Sequence, residues 1–397
     1  MLASVTVLAA GCSTDGPRRD KAGGAGQPIV LRMANASGDL GPHPAVGYFV
    51  QRVDEISGGA LRIEVEHRWG DFAPDAEQQV VRGVSTGEVD LGWAGSRVFD
   101  TMGVDSFQAL TAPMLVDSYA LQHAVIESGM TEQMLQELVD LGVIGLGVLP
   151  DGLRKPIGVA GPIVGPADWR NITFGTLTSN GQADAIRALG ARPVAITGDH
   201  RDEAASAGTI DGFELGLALY NPTLRHLAPY VTANVNLWPL IDVLLANPQR
   251  LERLSAVQRG WLQQAADDAA GRAGTFVAID AHVIEDACAT GVHFANASDS
   301  ELVALRDAFA PVYAEMERDP STRAFIEQIR ALKRSSAADP PPVIPTGCRG
   351  EGTDWIGADR WRTSVVAAGD VLGWPRCSPC SRLVALPRSL PKEQTEK

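Results

Sequence analysis

A six-residue pattern occurs twice in this chain, each time where a predicted helix meets a predicted strand, and it limits the folds that the sequence can adopt. Residues 85–90 (Ser-Thr-Gly-Glu-Val-Asp) and 206–211 (Ser-Ala-Gly-Thr-Ile-Asp) both fit S-x-G-x-[VI]-D. A helical pattern precedes each glycine and a strand-like run follows it, so the glycine is predicted to end the helix. The chain is therefore predicted to contain two α/β lobes built alike, each bringing a strand end to a common place.

Around these repeats, predicted strands and helices alternate. The first unit is predicted to have strands at 29–34, 61–65, 89–93 and 143–149, with helices over 46–56, 75–86 and 118–140. The second is predicted to have strands at 172–175 and 193–196 and from Ile210, with helices over 179–189 and 199–207. Gly58-Gly59 is expected to end the first helix, Ser179 to be an N-cap, and Asp75 with Gln78 to form a capping box.

The C-terminal half is predicted to be mostly helical. Residues 249–285 form a nearly uninterrupted helical pattern, long enough to bridge two lobes, and further helices are expected at 299–317 and 321–333. We assign 29–153 with 242–284 to lobe 1 and 154–241 with 285–333 to lobe 2. Residues 334–397, rich in Arg, Pro, Ser and Cys, are predicted to be a tail with little independent fold.

The N-terminus resembles a bacterial lipoprotein signal. Within residues 1–12, an apolar stretch rich in small residues is followed by Gly11 and Cys12. Cys12 is the residue expected to carry a lipid. Residues 13–28 have the composition of a flexible tether, although a buried N-terminal strand is the alternative. No later run reaches the roughly 18 apolar residues of a membrane-spanning helix. The chain is thus predicted to be anchored to a membrane and not to span it.

Charge and motifs exclude several classes of function. The net charge of −14 argues against nucleic acid or an anionic membrane surface as a partner. The P-loop, dinucleotide-binding, nucleophile-elbow and zinc-protease motifs are absent from the sequence, so we expect neither an enzyme nor a cofactor. The seven His residues are scattered, and no metal site is predicted. Cys288 stands alone, while Cys348 and the Cys377/Cys380 pair in the tail favour a disulfide or free thiols over zinc.

The polar and aromatic residues near strand ends instead suggest a ligand cleft between two hinged lobes. Arginine suits a carboxylate because its planar fork donates two parallel hydrogen bonds, and aromatic side chains exclude water. Each candidate also has a structural alternative: the aromatics as core residues, the arginines as solvated surface bases and Glu214 as a helix cap. The predicted ligand-binding residues are Arg154, Thr173, Trp93, Phe213, Glu214 and Trp238, with Arg97 and Asn221 as further candidates.

Five segments taken in order resemble the solute-binding proteins of TRAP transporters, the dicarboxylate-binding-protein-like family. The resemblance covers about residues 29–330. Its segments are Ser57–Val65 ("T-G-G-r-v-x-I-x-V"), Pro150–Arg154 ("n-G-F-R"), Pro162–Trp169 ("P-I-x-x-P-x-D-L"), Ala188–Val194 ("A-L-G-A-x-P-v") and Ala207–Gly212 ("t-G-v-v-D-G").

The resemblance implies a periplasmic-binding-protein-like (Venus flytrap) α/β fold, with a long helix spanning both lobes. It also implies transfer of a small organic ligand to a small and a large integral membrane subunit, and a ligand contact at Arg154. Two positions depart from the family: Thr173 stands where the strand arginine that binds carboxylate is expected, and Leu215 replaces a ligand-contacting Asn. Without that arginine, a carboxylate ligand would lose an ion pair that typically contributes several kcal/mol to binding. We therefore expect a less acidic or differently oriented ligand and not an ordinary dicarboxylate. 

We therefore predict a monomeric, lipid-anchored extracytoplasmic receptor that delivers its ligand to a TRAP-type secondary transporter. Three alternatives remain at this stage. The same clamp could act as a sensor lipoprotein that feeds a signalling protein, an enzyme with an unrecognised site, or a surface lipoprotein without a ligand.

Overall fold

The computed structural model describes residues 27–336, 339 and 342–349. The predicted lipidation site Cys12 and the Cys377/Cys380 pair lie outside the described residues. The strands are β1 Ile29–Ala34, β2 Leu61–Glu66, β3 Leu91–Gly95, β4 Ile144–Gly158, β5 Thr173–Thr176, β6 Arg192–Ala195, β7 Gly212–Leu215, β8 Tyr230–Thr232, β9 Trp238–Ala246 and β10 His293–Ala295. The α-helices are α1 Pro44–Ser57, α2 Ala76–Thr86, α3 Gln108–Thr111, α4 Tyr119–Ile126, α5 Met130–Glu137, α6 Asn180–Ala188, α7 Gly198–Ser206, α8 Pro222–Leu227, α9 Pro248–Arg253, α10 Ala256–Ala270, α11 Thr275–Ala289, α12 Asp299–Ala308, α13 Ala310–Met316 and α14 Pro320–Ser335.

The strands follow the order β2-β1-β3-β9-β4-β7-β5-β6, with β8 beside β4 and β10 beside β8. In the first half, β2, β1 and β3 are parallel and β9 is antiparallel to β3 and β4. In the second half, β7, β5 and β6 are parallel and β4 is antiparallel to β7. The long strand β4 belongs to both halves, because residues 144–154 pair with β9 and residues 155–158 pair with β7.

The repeated S-x-G-x-[VI]-D pattern has the same local structure in both halves, as predicted. Gly87 and Gly208, which follow α2 and α7, both have positive φ (+77° and +65°). The closing aspartates then contact the neighbouring parallel strand in the same way. The Asp90 carboxylate accepts from the backbone N–H of Arg32 at 2.8 Å. That of Asp211 accepts from the N–H of Thr173, also at 2.8 Å.

Two of the three predicted helix ends are confirmed and one is wrong. Gly58 ends α1 in the left-handed conformation, and the Ser179 hydroxyl accepts from the backbone N–H of Gln182 at the start of α6. Asp75 does precede α2, but its side chain caps no backbone N–H. Its carboxylate instead accepts from the side chains of Gln79 and Arg82, and Gln78 donates to Thr101, so the predicted capping box does not form.

Two predicted long helices are divided by glycine. The stretch at 118–140 becomes α4 and α5, separated at Gly129, whose φ of +77° a helix cannot contain. The stretch at 249–285 becomes α9, α10 and α11, with Gly271 and Gly274 between the last two helices. Helix α10 packs on α1 and β4 in the first half, whereas α11 packs on the turn at Leu217–Leu219 in the second. The predicted helix thus spans both halves in successive pieces.

The start of the predicted tail is packed against the second half. Helix α14 runs to Ser335. Beyond it, Ile344 and Cys348 are buried among apolar residues of the second half, which include Ile284 and Phe294. Cys348 forms a disulfide with Cys288 of α11, with 5.5 Å between the Cα atoms, so the prediction that Cys288 stands alone is wrong. Spacing along the chain could not reveal this contact between residues separated by 60 positions. In the described part of the chain, no helix has both the length and the apolar character needed to cross a bilayer.

Reduction of this disulfide is expected to lower the free energy of unfolding by about 2–4 kcal/mol, because the bond restricts a long loop in the unfolded chain. Thermal unfolding with and without a reducing agent measures the effect as a lower Tm. The control is a Cys288→Ser/Cys348→Ser double variant, whose Tm should not respond to the reducing agent. A wild-type Tm that also does not respond would contradict the prediction.

Candidate ligand-binding cleft

The candidate site is a cleft of about 220 Å³ with walls from both halves of the sheet. The first half contributes segments within 36–43 and 72–77, together with Trp93 and Arg97. The second half contributes Arg154, Leu177, Arg201 and the residues around them. Most of these segments follow the carboxyl end of a strand (β1, β2, β3, β5, β6 or β7), which is where ligands bind to open α/β sheets.

The two halves are in contact at the rim of the cleft. The Thr197 hydroxyl donates to the backbone carbonyl of Phe72 at 3.1 Å. On another edge, the Asp100 carboxylate accepts from the Ser179 hydroxyl at 2.7 Å and the Gly181 N–H at 2.8 Å at the start of α6. Burial raises the pKa of Asp100 and these hydrogen bonds oppose the rise. The structure is therefore that of a closed clamp, with the first half capping a helix of the second.

Arg154 lies in the cleft wall and is held by Glu214. Its Nε donates to the Glu214 carboxylate at 2.9 Å and its Nη2 to the Glu214 backbone carbonyl at 3.1 Å. The same carboxylate accepts from Trp238 Nε1 at 2.7 Å and from the Thr176 hydroxyl at 2.8 Å. Among the described residues, Nη1 of Arg154 has no hydrogen-bond partner. Glu214 thus fixes the guanidinium while leaving one of its nitrogens available to a ligand.

Glu214 is ionised within a buried environment. Burial by itself favours the neutral acid, but the charge and hydrogen bond of Arg154 outweigh it and lower the pKa of Glu214. Hydrogen bonds from Leu177 N–H and the Thr176 hydroxyl act in the same direction. The predicted alternative for Glu214, a helix cap, is therefore wrong, since the carboxylate is the counter-ion of Arg154.

The first half supplies Trp93 and Arg97. Arg97 is 3% exposed and pairs with Glu77, so its solvated alternative is wrong. The Trp93 ring packs against the ring of His43, with centroids 4.6 Å apart. Trp93 Nε1 and Arg97 Nε are buried without a hydrogen-bond partner in the described chain. Both of these atoms are donors that are shielded from solvent, so these two residues contribute to the cleft wall through their other atoms.

Arg201 is a cleft residue that the sequence analysis missed. It lies in the first turn of α7 and its guanidinium sits 5.3 Å above the centre of the Phe213 ring. Nε and Nη2 donate to the adjacent Asp202 at 3.0 and 2.8 Å, and Nη1 has no partner among residues the structure describes. Burial lowers the pKa of Arg201, and the charge of Arg154 lowers it further. Its place just after β6 is the signal that could have revealed it.

The structure brings Trp93, Arg97 and Arg154 together but places the other predicted residues elsewhere. Thr173 is the first residue of β5 and so lies at the end of the strand away from the cleft, where its hydroxyl accepts from Arg192. The remaining four lie behind the wall or cap a helix: Phe213 under Arg201, Trp238 and Glu214 behind Arg154, and Asn221 at the start of α8.

Three buried side chains form a cluster behind the cleft, which we call the inner cluster: His43, Asp151 and Asp242. His43 Nδ1 lies 2.6 Å from an Asp151 carboxylate oxygen and 3.9 Å from one of Asp242, and Nε2 lies 2.9 Å from the Ser37 hydroxyl. Burial raises the pKa of Asp242 well above its usual range, and the charge of Asp151 adds to this rise. This convergence could not be predicted from sequence, since its members are separated by about a hundred residues.

The face of β4 opposite Arg154 carries a separate charged group. Lys155, which points to that face because strand side chains alternate, donates to the Ala233 carbonyl at 2.9 Å. Nearby, Asp280 accepts from the Tyr119 hydroxyl at 2.9 Å. Burial raises the pKa of Asp280 from 3.8 to about 6, while Lys155 and the Tyr119 hydrogen bond oppose the rise.

This shift predicts a pH-dependent stability. Between pH 3.8 and about 6 the folded chain keeps a proton on Asp280 that the unfolded chain releases, so the free energy of unfolding falls as pH rises through this window. The loss should be on the order of 2 kcal/mol. Urea unfolding of the wild type across pH 4–7 should show this decrease in the free energy of unfolding. The free energy of unfolding of Asp280→Asn should depend less steeply on pH. Equal slopes for the two proteins would contradict the prediction.

The fold and cleft are those of a two-lobed, periplasmic-binding-protein-like protein with a ligand site between its lobes. The family model described as bacterial extracellular solute-binding protein, family 7, matches residues 36–319. The chain therefore belongs to this family, and the predicted recognition as a TRAP-transporter solute-binding protein is confirmed.

Individual relatives are distant in sequence. The uncharacterized protein YiiZ of Salmonella typhimurium is 23% identical over 232 residues, covering 58% of this chain and 69% of YiiZ. The sugar acid binding protein DctPAm of Advenella mimigardefordensis, in complex with galactonate, has a TM-score of 0.70 at 20% identity over 78% of this chain and 99% of its own. A TRAP periplasmic solute binding protein of Roseobacter denitrificans with bound β-D-glucuronate has a TM-score of 0.68 at 20% identity over 76% of this chain and 99% of its own. These likenesses establish the fold.

Proposed function

We propose that this protein captures a sugar acid, or an organic acid of similar size and polarity, and delivers it to the membrane subunits of a TRAP-type transporter. The observation that carries the proposal is a pair of arginines in the cleft wall: Arg154 and Arg201 each keep a nitrogen available to a ligand. A ligand that combines a carboxylate with several hydroxyl groups supplies the matching acceptors.

We further propose that Arg154 and Arg201 together bind the carboxylate. Strand β5 reads Thr-Phe-Gly-Thr and carries no arginine, so the strand position expected from the resemblance cannot supply one. Arg201 enters from the next helix and is close enough to Arg154 for the two charges to repel. An anion between them relieves that repulsion. A sugar acid also fits the relatives, since galactonate and glucuronate are bound in two of them.

The proposal includes an extracytoplasmic location with a lipid on Cys12. The Cys288–Cys348 disulfide supports an oxidising compartment, and the segment before Cys12 supports lipidation. Mass spectrometry of the N-terminal peptide from a membrane fraction tests the anchor. A peptide that retains residues 1–11 with an unmodified Cys12 would rule it out.

A thermal-shift screen tests the ligand class. D-glucuronate, D-galacturonate and D-galactonate are compared with succinate and with uncharged D-glucose. Binding to the folded state raises the Tm with ligand concentration. We expect at least one sugar acid to raise the Tm well beyond glucose, and succinate to have little effect. No shift with any of the sugar acids would argue against this ligand class.

A further inference from the structure

The inner cluster points to a second binding function, distinct from capture of the organic ligand. We propose that His43, Asp151 and Asp242 bind one divalent cation of the zinc or manganese type. This inference does not depend on the proposed organic ligand, because the three side chains contact one another behind the cleft without it.

The spacing of the three side chains fits a single ion. One ligand atom from each lies within 4.8 Å of the others, and His43 Nδ1 is 2.6 and 3.9 Å from the carboxylates of Asp151 and Asp242. Two ligands of one zinc ion, each about 2.1 Å from the metal, lie at most about 4.2 Å apart. The two distances from His43 fall below this limit and the two carboxylates lie within 4.8 Å of each other, so the side chains can surround one ion after small rotations.

The buried negative charge of the inner cluster is a second, independent reason to expect a cation there. Asp151 and Asp242 are 1% and 0% exposed, and neither carboxylate oxygen of Asp242 accepts a hydrogen bond from any described residue. The nearby cation, Arg97, is already paired with Glu77. The two buried carboxylates share one contacting base, His43. A single positive charge there cannot balance both, and a metal ion supplies the charge that is missing.

The groups around the cluster suit a metal ion in particular. The Ser37 hydroxyl, 2.9 Å from His43 Nε2, can donate to that nitrogen or accept from it. When a metal takes Nδ1, the imidazole proton resides on Nε2 and donates to Ser37, a typical outer partner of a metal-bound histidine. The ion takes the place of the 2.6 Å hydrogen bond between His43 Nδ1 and the Asp151 carboxylate, whose proton leaves to solvent or moves to Nε2. An imidazole with two carboxylates is a donor set that suits zinc or manganese.

A bound ion would connect three elements of the first half. His43 directly precedes α1, Asp242 lies in β9, and Asp151 lies in β4 where its pairing with β9 is shifted between Pro150 and Leu153. His43 also lines the cleft. Metal binding is therefore expected to stabilise the point at which β4 passes from one half of the sheet to the other, and to raise the Tm.

Calorimetric titration of chelator-treated protein with Zn²⁺ and with Mn²⁺ tests the proposal, without any organic ligand present. We expect one ion per chain, a raised Tm, and affinity that falls as pH decreases because a proton must leave. Asp242→Asn and His43→Gln should each weaken binding at least tenfold, and the exposed Asp54→Asn is the matched control. Circular dichroism establishes that each variant is folded.

Two outcomes would overturn the proposal. One is a wild type that binds neither ion, in which case a shared proton alone compensates the cluster. The other is equal binding by the wild type and both inner-cluster variants, which would place the ion elsewhere on the surface. Since the organic ligand is absent from these titrations, failure of the metal site leaves the thermal-shift test of the proposed function unaffected.

Discussion

Glu214→Ala is expected to lower the free energy of unfolding by about 3–5 kcal/mol, because it leaves the buried guanidinium of Arg154 without its counter-ion. The carboxylate is 2% exposed and also accepts from Trp238, Thr176 and Leu177, whose donors would lose their partner. Urea unfolding at pH 7 measures the change.

The control for this variant is Glu315→Ala, which removes an exposed carboxylate paired with Arg318 and should cost at most about 1 kcal/mol. Because the pKa of Glu214 is lowered in the folded state, the stability it provides is present above its ordinary pKa of 4.5 and lost as pH falls through the folded-state value. A loss for Glu214→Ala no larger than that of the control would show that Arg154 is not held in the way described.

Arg201→Gln is expected to weaken binding of the organic acid by about 30-fold or more, corresponding to 2 kcal/mol or more for a carboxylate contact in a partly dry site. Arg201 is a cleaner test than Arg154, since replacing Arg154 would also leave Glu214 buried and unpaired. Isothermal titration with the acid that gives the largest thermal shift measures the change. The affinity of Arg201→Lys for the acid should lie between those of the wild type and Arg201→Gln, because lysine keeps the charge but not the planar fork.

Arg187→Gln is the matched control. It removes an arginine of the same half, from α6, where the side chain is 60% exposed and pairs with Asp184. Its affinity for the acid should equal that of the wild type. An Arg201→Gln affinity within threefold of the control would exclude Arg201 from the carboxylate site.

The fold was largely predictable because its signals are local. The two S-x-G-x-[VI]-D segments predict a helix end and a strand start within six residues, and Asp90 and Asp211 then make equivalent contacts. Helix continuity was less predictable. Gly129 and the pair Gly271 and Gly274 interrupt apolar patterns that continue on both sides, so periodicity alone predicts one continuous helix where the chain forms separate ones.

The site was only partly predictable because it depends on contacts between distant residues. Arg154 could be identified by its position after an apolar strand, but its orientation depends on Glu214, 60 residues away. Thr173 was placed at the wrong end of β5, since the strand's direction relative to the cleft follows from the sheet. Arg201 was missed because its one signal is its position after β6, and a charged residue in a polar helix has no periodic pattern of its own.

The cleft is expected to select its ligand by the carboxylate. Isothermal titration of the purified protein with D-glucuronate and D-galacturonate, each against its uncharged sugar, D-glucose or D-galactose, measures this selection. We expect saturable binding of one acid per chain, at least tenfold tighter than the matching sugar. Equal affinity for acid and sugar, or no binding of either acid, would contradict it.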